Sequence, residues 1–107
     1  MPRRLQSHAR AECLETIVAW LVGQEVSTTV IESRGVHNDQ QDRQTIIECR
    51  RAGHQLGTHR FARAVDEPLL WVADVVAGAT SAHLDGSNHR WFQPIHEKVT
   101  ILTPLGP

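Results

Sequence analysis

The segment from Pro68 to Leu84 places Leu69, Leu70, Trp71, Val72, Ala73, Val75, Val76, Ala77 and Ala79 almost without interruption, and Asp74 is the only charge between Pro68 and Ser81. Asp66-Glu67-Pro68 ahead of it is a strong helix start. Acids favour the positive end of the helix dipole, and proline's missing N–H costs nothing in the first turn. The spacing therefore predicts a helix to about Leu84. A helix with no polar face offers water nothing to bind and is expected to be buried. Whatever else this chain forms must supply the apolar surface that covers it.

The elements ahead of that helix are read from their periodicity. Between His8 and Gln24, Cys13, Leu14, Ile17, Val18, Leu21 and Val22 recur as adjacent pairs every four residues, one stripe of an amphipathic helix that Gly23 closes. Val26 to Ile31 is dense in β-branched residues and predicts a strand ending at Glu32. Ser33 to Asn38 reads as a loop, with Asn38 or Asp39 capping a second helix that runs to about Arg51 and ends at Ala52-Gly53. His54 to Ala64 is a weaker strand. After the apolar helix, His89 to His96 reads as a short helix broken at Pro94, Lys98 to Leu102 as a short strand, and the remainder as a Pro/Gly tail.

This alternation predicts an α/β fold with few, mostly parallel strands and a buried C-terminal helix. With 107 residues, of which 40% are hydrophobic and 21% charged, the chain has the size and composition of one globular domain over 1–107. Two or three strands nonetheless offer little sheet for two apolar helices to cover. A homo-oligomer, or a partner chain completing the sheet, is the expected remedy.

Net charge and cysteine content narrow the class. Eleven Lys and Arg against twelve Asp and Glu give a net charge of −1, so there is no global basic field to recruit nucleic acid, and such binding would need a local patch. Cys13 and Cys49 each lie within an expected helix core, without a ligand-spaced partner, which argues against a disulfide scaffold. The basic start Met1-Pro2-Arg3-Arg4 is followed by no apolar signal-peptide core, and Leu69 to Ala79 is too short to span a bilayer. A cytoplasmic protein with no membrane partner is the expectation.

Carboxylates are the residues most suggestive of chemistry. Asp74 on an apolar helix incurs a desolvation cost unless compensated, either by an arginine or a loop it caps, or by a metal ion. Glu32 stands at the carboxyl end of the best strand, where open α/β sheets present ligand-binding groups. Asp39 and Asp42 follow three residues apart, on one helical face and within reach of that strand end. Helix N-terminal acids are commonly dipole partners only, but three or four acids converging on a sheet edge can hold Mg²⁺ or Mn²⁺, hard cations that select carboxylate oxygen. The seven histidines form no paired zinc motif, and no glycine elbow surrounds any serine. Arg34, Arg43, Arg50, Arg51, Arg60 and Arg63 could line a basic rim for phosphates.

Taken in order, Val30-Ile-Glu-Ser-Arg34, Asn38-Asp-Gln-Gln-Asp-Arg-Gln-Thr-Ile46 and Glu67-Pro-Leu-Leu-Trp-Val-Ala-Asp-Val-Val-Ala-Gly78 resemble the C-terminal half of the domain of unknown function 3800 family, over roughly Ala11 to Thr103. Members of that family resemble RNase H-like folds, so the resemblance implies a partial RNase H-like three-layer architecture. It further implies that Glu32 is the carboxylate ending a central strand, that Asp74 is the last acid on the C-terminal helix, and that Asp39 or Asp42 is an accessory acid. Family members begin with a strand bearing an Asp-Glu-Ser-Gly type motif, and nothing like it precedes Leu5. The expected metal site is accordingly weak in the lone chain.

Two functions of different class follow. The first is a divalent-metal-dependent nuclease-like domain, incomplete or inactive alone, with Glu32, Asp42 and Asp74 catalytic, Glu32, Asp39, Asp42 and Asp74 holding Mg²⁺ or Mn²⁺, and nucleic acid as partner. The second is a non-enzymatic, oligomerising interaction module derived from a truncated RNase H-like scaffold, pairing through a sheet edge and apolar helices.

Overall fold

A computed structural model describes residues 3–102, with side chains described from Leu5 onward. Residues 1–2 and the Pro/Gly tail at 103–107, including Thr103 at the end of the family resemblance, lie outside the described residues. The chain is mixed α/β, 62% helical, with a two-stranded parallel sheet. The described residues divide into two compact units, residues up to 61 with 102, and residues 62–101.

The first unit contains helix α1 (Arg3–Gly23), strand β1 (Thr28–Glu32), helix α2 (Val36–Arg51) and strand β2 (Thr58–Ala62). β1, α2 and β2 form a βαβ crossover, the connection that parallel neighbours require. Its core is Val18, Ile46, Cys49 and Leu56, with Leu14, Leu21, Val22 and Ile31 packed around it. Leu14, Val18, Leu21 and Val22 are one face of α1. Cys13 and Ile17, expected in the same stripe, turn out to be exposed, because the contact with α2 is narrower than the stripe is wide.

Both long helices of this unit end in the same way. At α2, the N–H of Gly53 donates to Arg50 O and that of His54 to Cys49 O, each at 3.0 Å, with Gly53 at φ 100°. This is a Schellman closure with glycine in the left-handed position. At α1, the N–H of Glu25 donates to Val22 O at 3.1 Å and that of Val26 to Leu21 O at 3.4 Å, so the left-handed residue is Glu25, at φ 56°, and not Gly23. Gly57 has a different reason to be glycine. A Cβ there would meet Val26 O at 2.8 Å and Ser27 O still closer, where β2 enters beside β1 and Thr58 N donates to Ser27 O at 2.9 Å.

The second unit holds a 3₁₀ turn (Ala64–Asp66), helix α3 (Pro68–Leu84) and a second 3₁₀ turn (Gln93–Lys98). Trp71 Nε1 donates to Ala64 O at 2.6 Å, pinning the first turn against the helix. Phe92 is buried and stacks on His83, with ring centroids 4.1 Å apart. Two expectations are corrected here. Lys98–Leu102 forms no strand among the described residues: Pro94 opens a 3₁₀ turn through Lys98, and the residues after it pair with no sheet edge. Nor is α3 a buried helix within its unit, since Leu70 and Ala79 alone are buried while Leu69, Trp71, Val72 and Val75 are exposed. Neither short 3₁₀ turn has the surface to cover a 17-residue apolar helix.

A non-glycine residue in the left-handed region costs about 1–2 kcal/mol, and glycine's extra unfolded-state entropy returns part of that. Glu25→Gly is thus expected to stabilise the protein by about 0.5–1 kcal/mol. Urea denaturation measures this, and an unchanged or lower midpoint would contradict the strain.

Candidate functional site

Three of the expected site residues gather around the carboxyl end of β1. Glu32 is its last residue and is exposed. The chain then turns through Ser33, Arg34 and Gly35, whose φ of 96° starts α2. Asp39, 6% exposed, faces back into that turn and accepts from Ser33 Oγ at 2.5 Å and from Arg34 N at 2.9 Å. The Ser33 hydroxyl first, then the Arg34 N–H and the fields of Arg43 and Arg34, hold its carboxyl below the usual carboxylate range. The sequence allowed Asp39 as a cap residue. The cap is instead Gly35 and α2 starts at Val36, so Asp39 lies inside the helix and its carboxylate bonds backwards to Ser33 and Arg34 without capping α2.

Asp42, one turn further, is 2% exposed. Arg10 of α1 grips it with a fork, Nε to Oδ1 and Nη2 to Oδ2, both at 2.9 Å, and Arg34 Nη2 adds a contact to Oδ1 at 3.2 Å. Paired, planar bonds of this kind are the strongest form of arginine–carboxylate contact. The bond to Asp42 also raises the Arg10 pKa further. Both oxygens of Asp42 thus face arginine. A cation entering here would have to displace one of them.

Between the starts of α1 and α2 these residues line a polar cleft of about 360 Å³, bordered also by Gln6, Ser7, His37 and Gln41. Arg10 is the member that sequence reasoning missed. On α1 it is one polar residue among several, and only the packing of α1 on α2 singles it out.

Asp74 belongs to the other unit, exposed on α3, whereas Glu32, Asp39 and Asp42 belong to the first. The desolvation expected for Asp74 is therefore not imposed within its own unit. Among the described residues, no group of three or more His, Cys, Asp or Glu side chains is disposed to hold a metal ion.

Of the arginines expected to form a basic rim, Arg50 instead braces the αβ connection, donating to Leu56 O at 2.6 Å, Gly57 O at 2.9 Å and His59 Nδ1 at 3.3 Å. Burial first, then Arg50 and Arg43, pushes the His59 pKa below its ordinary 6.5. Arg43 lies over the Phe61 ring, 4.5 Å from its centroid.

The second surface of note is α3. Leu69 and Val75 are each 71% exposed and Trp71 62%. Beside the helix, Trp91 and Ile95 wall an apolar groove of about 600 Å³ over Trp71, Val75, Gly78 and Ala82.

Asp42→Asn removes the charge that Arg10 and Arg34 share, and is expected to cost about 2–3 kcal/mol in urea denaturation, as for a charged hydrogen-bonded pair left half-made. A loss below about 0.5 kcal/mol would mean that the clasp contributes little, as exposed ion pairs do. For His59 the depressed pKa means that the unfolded chain takes up a proton before the folded one as pH falls below 6.5. Stability is expected to fall from pH 6.5 downward, in a window above the one where Asp39 is lost, and His59→Gln should flatten the melting temperature between pH 6.5 and 5. An identical slope in both proteins would remove His59 as the cause.

Compared with known protein families, with curated proteins and with solved structures, the chain matches none.

Proposed function

We propose that this chain is a non-enzymatic interaction module that self-associates through the apolar face of α3. The single observation behind this reading is the exposure of Leu69, Trp71, Val72 and Val75 on one helix. Monomers rarely expose a contiguous apolar patch above a few hundred Å². Tryptophans bury about 150–250 Å² each when covered, so with Trp91 at the groove wall the patch reaches on the order of 500 Å² per copy. Two such patches bury on the order of 1,000 Å², the lower bound for a specific interface. With large aliphatic and aromatic side chains worth about 1.5–3 kcal/mol each when covered, a few are enough to offset the cost of association.

A second reading keeps metal chemistry. It is favoured by two carboxylates that the fold leaves exposed, Glu32 at the end of β1 and Asp74 on α3. Under it, and under the resemblance to RNase H-like proteins, the acids Glu32, Asp39, Asp42 and Asp74 would serve as ligands of Mg²⁺ or Mn²⁺ for phosphodiester hydrolysis of a nucleic acid.

Light scattering across protein concentration tests the first reading. The mass is expected at two chains or more in the micromolar range, and Val75→Glu should reduce it to one chain with the monomer fold intact, because Val75 packs on little in its own unit. A single-chain mass for the unsubstituted protein at about 100 μM would end this reading. Thermal melts with millimolar Mn²⁺ test the second: a cation held at Asp74 should raise the melting temperature of the native sequence and not of Asp74→Asn, through an added stability of about 2.7 kcal/mol at a hundredfold excess over Kd. Equal melting with and without Mn²⁺ would remove Asp74 as a ligand.

A further inference from the structure

Trp71, Val75, Gly78 and Ala82 follow one another at steps of four, three and four residues, which is the spacing of a helix–helix seam. Their sizes run large, large, small, small. Turned end for end about a point midway between Val75 and Gly78, the series matches its own complement, with Trp71 opposite Ala82 and Val75 opposite Gly78. In the parallel sense it does not: Trp71 would meet Trp71, and Gly78 would face Gly78 across a void.

From this complementarity we infer that the occupant of the α3 groove is α3 of a second copy, antiparallel, about a two-fold axis between Val75 and Gly78. The inference rests on the reading that α3 self-associates and adds the partner and the geometry. An isologous pairing has the required property that each contact occurs twice, residue i on j and j on i. The small half of the seam lets the backbones approach, while Trp71 of each copy enters the groove that the other walls with Trp91 and Ile95. Asp74 lies at the rim, flanking the seam. In the antiparallel arrangement it faces Ser81 of the second copy, a hydroxyl that can donate to it, and no carboxylate confronts another.

Gly78 provides a test that spares the monomer. A Cβ at Gly78 meets nothing within 4 Å in the single chain and opens onto the groove, so the side chain of Gly78→Leu is expected to extend into that space, and leucine improves helix propensity. In the pair it would strike Val75 of the second copy. Diluted until both proteins are single chains, Gly78→Leu is expected to melt at or above the unsubstituted protein, while at micromolar concentration its mass is one chain against two. A Gly78→Leu protein that remains dimeric would overturn the proposed seam.

Direction is read by disulfide cross-linking in a Cys13→Ser background, because Cys13 is the exposed native thiol. Asp74→Cys mixed with Ser81→Cys is expected to cross-link, whereas Ala82→Cys alone should not. Positions 74 and 81 are about 10 Å apart along one helix, too far for a bridge within a chain. Cross-linking of Ala82→Cys with itself, without the 74–81 link, would mean a parallel pair: this inference would fall and self-association would stand. A monomer at every concentration would overturn both.

Discussion

A carboxylate that is almost fully buried has to be met by cations or donors, and at Asp42 two arginines do so from different directions. Arg10 comes from α1 and Arg34 from the turn after β1, so the contact fixes the start of the long helix, the end of the strand and the first turns of α2 together. Apolar packing of Val18 on Ile46 brings α1 and α2 side by side, but packing alone tolerates sliding. A planar fork with two bonds at 2.9 Å does not. The βαβ unit is thereby held as one piece although its sheet has only two strands.

That piece has its own core, whereas α3 has almost none. The second unit consists of one apolar helix and two short 3₁₀ turns, and on the helix Leu70 and Ala79 are buried while most of the other residues are left in water. An amphipathic helix in this position would be indifferent to its surroundings. One with apolar residues all round is not, and the fall in bulk from Trp71 and Val75 to Gly78 and Ala82 gives the exposed face a shape as well as a hydropathy.

The acids show how a site can be read from sequence and still be read only halfway. That Asp39 and Asp42 gather at the end of β1 was legible, because three-residue spacing on a helix fixes a common face and a βαβ unit brings that face to the strand end. What they do there was not legible. The partners of Asp42 lie 32 residues away at Arg10 and eight away at Arg34, and of these only Arg34 stood out from its position. Glu32 and Asp74 were placed on the correct elements, yet their environments depend on what covers the strand end and the helix, which periodicity does not report.

Sequence by itself determined the local elements: the β-branched run of β1, Pro68 opening α3, Ala52-Gly53 closing α2 and the parallel βαβ order all follow from backbone sterics and side-chain period. Tertiary structure decided the rest. It gave the left-handed position at the end of α1 to Glu25, turned Cys13 outward and left α3 uncovered, because each of these depends on how much surface a neighbouring element presents. An apolar stripe shows that a helix requires a partner; only the packed chain shows whether its own unit supplies one.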